Sequence, residues 1–154
     1  MTERPLDVLI VEGEVLLAAE LEFLLDEVGY KAVGHAMSSG EAAAMANALH
    51  PDLALVDVHL QDGPTGVDVA RTILDKCGGV ALFMTANVKR LPDDFAGACG
   101  VIGKPYSSHG VKSALAYLAV CLRNGQAPGP PPIGLDLAPA YAEHWGLNDL
   151  PRAS

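Results

Sequence analysis

The chain has 154 residues and half of them are hydrophobic, which is one domain by length and enough apolar side chain to close a single buried core. A formal charge of −9 gives a field that repels nucleic-acid phosphates and anionic lipid surfaces, so neither nucleic acid nor a membrane is an expected partner. Aromatics make up only 5% of the chain, while Ala, Val, Leu and Gly are plentiful, as in an α/β core of small aliphatic side chains. Cys77, Cys99 and Cys121 are odd in number and set among apolar neighbours, so they are expected as reduced, mostly buried thiols rather than a disulfide framework or a zinc set. The first apolar run is too short for a signal peptide or a membrane span, and the expected location is the cytoplasm.

Residues 6–12 (LDVLIVE) form a β-branched apolar run ending in an acid, the pattern of a strand buried on both faces. A helix is expected over 14–28, where Leu17, Leu21, Leu24, Leu25 and Val28 recur at spacings of three and four, with Gly29 at its stop. A short strand over 30–35 follows, then an Ala-rich helix from about 40 to 49 capped by Ser38 or Ser39 and broken at His50-Pro51. Residues 52–58 (DLALVDV) are the most strand-like stretch. They lead into a turn at 61–64 and a helix over about 66–77. Residues 80–85 predict a fourth strand, 88–95 a weak helix, 99–102 a fifth strand and 107–122 a last helix.

Strands alternating with helices give a parallel sheet covered on both faces, because crossover connections are right-handed. The expected fold is therefore a flavodoxin-like, doubly wound α/β sheet of five strands in the order 2-1-3-4-5 with five helices. After Arg123 the chain turns to Pro and Gly, a stiff linker that ends the core module. The domain spans 1–123, and 124–154 are a linker and tail with no output domain. Tyr141, Trp145 and several leucines make the tail apolar enough to dock on this chain or on a partner.

Ligands of doubly wound sheets bind at the carboxyl ends of the strands. Those ends offer Glu12, Asp57, Thr85 and Lys104 with Pro105. An aspartate there acts as nucleophile toward a phosphoryl group when a divalent cation neutralises the oxygens and a lysine and a hydroxyl bind the transferred group.

The strings VLIVEGE, LALVDVHL, LFMTAN and GKPY, in this order and spacing, resemble the response-regulator receiver domains of bacterial two-component systems, over about residues 6–122. The resemblance implies Asp57 as phosphoacceptor, Thr85 as the hydroxyl that binds the phosphoryl oxygens and Lys104 as their cationic partner. It implies a Mg²⁺ site of Glu12, Asp57 and the backbone carbonyl of His59, and a cis bond before Pro105. A sensor histidine kinase would be the donor. A phosphotransfer protein or a downstream target would read the state, and the last helix would line a homodimer interface. Catalysis would be limited to the receiver's own phosphorylation and dephosphorylation.

Two positions depart from the pattern. Receivers usually end the first strand with two acids, the second coordinating Mg²⁺ directly, and here that position is Gly13, which weakens the metal site unless water, Glu12 or Glu14 fills the gap. Gly13 also admits a purely conformational role. Three residues before Lys104 many receivers carry a Phe or Tyr that reports phosphorylation, and this chain has Val101, with Tyr106 in another register. The alternative reading is thus a degenerate receiver, a metal-poor, phosphorylation-independent interaction module. An aspartate-nucleophile phosphohydrolase is disfavoured, because those enzymes need an acid two residues after the nucleophile, where this chain has His59, and a cap domain. The five scattered histidines lack metal-site spacing.

Overall fold

The strands form where β-branched and aliphatic residues run together without breakers, and their period of two divides the side chains between the two faces of one sheet. The computed structural model describes residues 5–147. Its elements are β1 (Asp7–Val11), α1 (Val15–Glu27), β2 (Lys31–Ala36), α2 (Ser39–Leu49), β3 (Leu53–Asp57), α3 (Gly66–Thr72), β4 (Val80–Thr85), β5 (Gly100–Gly103), α4 (Ser108–Asn124), β6 (Leu135–Leu137) and α5 (Pro139–His144). Strands lie in the order β2-β1-β3-β4-β5-β6. The first five are parallel, in the expected order 2-1-3-4-5. On one face Val8, Ile10, Leu53, Leu55, Leu82, Met84 and Ile102 pack against α1 and α4. On the other, Leu9, Val11, Ala54, Val56, Ala81, Phe83 and Val101 pack against α2 and α3.

Local signals set most helix ends. Ser38 caps α2 by accepting the Glu41 amide, with the Glu three residues on that a capping box requires. α1 stops before Gly29, which sits at φ 79°. Ser107 caps α4 by accepting the Gly110 amide. α3 widens into a π-helical turn over Ile73–Cys77, so the segment expected as one helix over 66–77 changes pitch midway.

The weak helix expected over 88–95 is instead two 3₁₀ turns, Val88–Arg90 and Phe95–Gly97. Pro92 explains the break, since a residue before proline avoids the helical region and Leu91 is extended at φ −71°, ψ 145°. Phe95, Ala96 and Gly97 then all take positive φ. The fifth α-helix among the described residues comes from the tail.

The tail folds onto its own chain. β6 pairs antiparallel with β5, and Trp145 is only 3% exposed in the cluster that holds Leu118, Cys121 and Leu135. The Trp145 carbonyl accepts the Ala127 amide at 3.0 Å, and the Tyr117 hydroxyl donates to the Gly129 carbonyl at 2.7 Å. A Cβ on Gly100 would lie 2.4 Å from the Asp136 carbonyl oxygen, so only glycine lets β6 approach this closely. Cys99 and Cys121 are buried and Cys77 half-buried, all as free thiols. Burial pushes the Cys99 thiol up and the Cys121 thiol up to about 11.

Candidate functional site

Glu12, Asp57, Thr85 and Lys104 meet at the carboxyl ends of β1, β3, β4 and β5, as the strand pattern predicts. Asp57 is held from both sides. Its Oδ2 accepts from Lys104 Nζ at 2.8 Å, and its Oδ1 accepts the His59 backbone amide at 3.1 Å. The His59 contact to Asp57 is thus through N–H. Lys104 is fixed in turn by its own amide, which donates to the Thr85 carbonyl at 2.8 Å, and the Lys104–Pro105 peptide is cis. Thr85 is 2% exposed, and its Oγ1 accepts the Asn87 amide at 3.1 Å, which leaves the hydroxyl proton available to an incoming oxygen.

Glu12 lies beneath the pair, 2% exposed, with Oε2 3.7 Å from Lys104 Nζ. Its backbone is pinned between the Ala36 carbonyl, which accepts its amide at 2.9 Å, and His35, whose Nε2 donates to its carbonyl at 2.9 Å. Burial, then hydrogen bonding and repulsion from Asp57, push the Glu12 carboxyl up to about 8 against the pull of Lys104. Two carboxylates share one cation in a partly dry site, and the more buried one carries the penalty.

Receiver domains generally bind Mg²⁺ at their acidic site. Among the described residues no group of three or more His, Cys, Asp or Glu side chains converges as a metal site. The donors present are the Glu12 and Asp57 carboxylates, and Glu12 Oε1 is buried without a hydrogen-bond partner. An orphaned carboxylate oxygen beside a second carboxylate is what a hard cation takes, so the residues fit Mg²⁺ with fewer charged ligands than the cation usually finds. Gly13 is not required by the backbone. It has no left-handed φ, and a Cβ there would meet Gln61 N at 3.4 Å, ordinary contact. The conformational explanation for Gly13 therefore loses its support, and the position admits at least the first carbon of a side chain.

Sequence reasoning missed two residues that shape the site. Gly66 opens α3 so close to β3 that a Cβ would lie 2.2 Å from the Asp57 carbonyl oxygen. Asp62 accepts from the Ser39 and Thr65 hydroxyls, which hold its carboxyl below the usual range and tie the loop after β3 to the start of α2. The signal was present as turn residues between 61 and 66, but a turn pattern does not say which backbone it crosses. Tyr106 has a buried hydroxyl without a partner and packs against the cluster on one face of the sheet, whereas Val101 is fully buried in the cluster on the other.

Four groups on four strand ends form one site, and the comparison with known proteins points the same way. The chain matches the model of the response regulator receiver domain over residues 8–116. It belongs to the response regulator receiver family. The receiver is 30% identical over 112 residues to the phyllosphere-induced regulator PhyR of Methylorubrum extorquens, covering 71% of this chain and 42% of that protein. It is 36% identical over 108 residues to the transcriptional regulatory protein PdtaR of Mycobacterium tuberculosis, covering 67% and 51%. The receiver domain of the Erythrobacter litoralis PhyR response regulator, solved by NMR, superposes with a TM-score of 0.65 at 25% identity, over 84% of this chain and 97% of that one. The chain spans about half the length of the curated relatives it matches. No helix among the described residues is long and apolar enough to cross a membrane.

Proposed function

We propose that this receiver accepts a phosphoryl group on Asp57 from a sensor histidine kinase and signals through protein–protein contacts. The observation that carries the reading is the 2.8 Å pairing of Lys104 Nζ with Asp57 Oδ2 beside the buried Thr85 hydroxyl. Asp57 is a nucleophile already oriented by two donors. Its oxygen attacks phosphorus as the bond to the donor breaks, Lys104 moves to a phosphoryl oxygen, and Thr85 donates its free proton to another. Glu12, Asp57 and the His59 carbonyl would hold Mg²⁺, which when bound supplies charge neutralisation at the phosphoryl oxygens. The 1–123 module would act in the cytoplasm through a phosphotransfer protein or a downstream target. A second copy of the chain is a further partner, through the last helix.

A degenerate receiver that works by binding alone is the second reading. Gly13 and the elevated Glu12 carboxyl favour it, because a site that holds a proton where the cation should sit binds that cation less well. The test is incubation of the full chain with acetyl phosphate and Mg²⁺, followed by intact mass. One added phosphoryl group that needs both Mg²⁺ and Asp57, and is absent from Asp57→Asn, supports the first reading. No addition to the native chain at high Mg²⁺, with addition to Gly13→Asp, supports the second.

A further inference from the structure

Val58 and His59, the two residues after Asp57, line a cleft of about 250 Å³ that Thr85 also enters. Its polar walls are Thr85, His59, Asn87 and Arg90, and its apolar walls include Val67 and Leu91. No carboxylate lines it, in a chain that carries 19 acids and a net charge of −9. Each polar wall residue has a proton to donate, and Thr85 is shared with the phosphoacceptor site itself. Arg90 stands on the 3₁₀ turn three residues beyond Asn87 because Pro92 ends any longer helix there. Its guanidinium is exposed and makes no ion pair among the described residues, whereas Lys104, the other cation of the site, is engaged by Asp57 and Glu12.

We propose that Arg90 binds the phosphoryl oxygens of the incoming donor in this cleft, as a donor-positioning residue for the phosphorylation of Asp57. The inference rests on the phosphoacceptor reading above and adds the group that receives the donor. A guanidinium suits the task because its planar fork takes two phosphoryl oxygens at once. In a site with one acid fewer than usual, it supplies attraction for the dianion from a cleft that Lys104 does not line. With acetyl phosphate the Asp57 oxygen forms the new bond to phosphorus, the bond from phosphorus to the acetate oxygen breaks, and acetate departs with the electron pair. Arg90 stays protonated throughout.

The test measures initial rates of Asp57 phosphorylation against acetyl phosphate concentration at saturating Mg²⁺, on the full chain and on Arg90→Ala, Arg90→Lys and Lys89→Ala. Lys89 carries the same charge on the same turn but does not line the cleft. Arg90→Ala is expected to raise the half-saturating donor concentration about tenfold, Arg90→Lys to recover part of it, and Lys89→Ala to match the native chain. Equal effects of Arg90→Ala and Lys89→Ala would reduce the role to the general field and overturn the proposal. A second arm titrates acetyl phosphate into Asp57→Asn, which cannot be phosphorylated, and follows the Thr85 amide and Arg90 Nε signals by NMR. Saturating shifts that vanish in Asp57→Asn/Arg90→Ala support the cleft even if the native chain takes no phosphoryl group, in which case the function fails and the cleft stands. Shifts unaffected by Arg90→Ala overturn it.

Discussion

At Glu12 a single carboxyl concentrates the physics of the site. The unfolded chain ionises it near 4.5 and the folded chain only near 8. Its contribution to stability is therefore fully present below pH 4.5 and is lost as the pH rises through about 8. With divalent cations chelated, the melting temperature of the native chain is expected to fall between about pH 5 and pH 8, and that of Glu12→Gln to fall less over the same range. Equal slopes would show that Glu12 is not the group responsible. Gly66 is decided by contact rather than charge. Gly66→Ala sets a methyl group against the Asp57 carbonyl, which is expected to destabilise by about 1–3 kcal/mol in a denaturant titration and to slow phosphorylation by displacing the loop after β3. Glu12, Asp57, Thr85 and Lys104 were legible from sequence because each stands at the end of a short apolar run of strand length bounded by turn residues. Gly66 and Asp62 were not, since what they touch is distant in the chain or across a turn.

Among the elements, the parallel strands and α1, α2 and α4 follow their hydrophobic period and caps closely. The stretch between β4 and β5 does not. There Pro92 and three successive positive-φ residues override a weak helical pattern, and the resulting short turns leave Arg90 facing the cleft. The tail shows the opposite case, a segment of low local propensity that becomes ordered by what it buries. β6 has three residues and α5 six, both too short to persist alone, and Trp145 supplies the contact that holds them. Trp145→Ala is expected to cost about 3 kcal/mol, read as a lower denaturation midpoint, with Asp57 still able to be phosphorylated. No loss of stability would mean that the tail contributes nothing to the folded state.

For the whole molecule, the tail changes which surfaces remain open. Tyr117, Leu118, Ala119 and Cys121 of α4 are buried in the cluster that also contains Ala127, Leu135 and Trp145, and β6 occupies the edge of β5. The last helix is thus largely covered by its own chain, and a homodimer built on it has to form around its outer residues or displace the tail. Removing residues 126–154 is expected to raise self-association, measured by light scattering at a concentration where the intact chain is monomeric. Identical masses would show that the tail does not guard that surface.

The sequence by itself determined the α/β alternation, the order of the five parallel strands and the four strand-end residues. Hydrophobic period and turn chemistry are local properties, and the handedness of crossovers converts them into topology. Tertiary structure alone decided that the Glu12 carboxyl is elevated by burial and then by Asp57, that Gly66 must lack a side chain and Gly13 need not, that Arg90 shares a cleft with Thr85, and that the tail adds a strand to the sheet. Each depends on distances between segments far apart in the chain, where burial and contact set the energy and no local pattern records it.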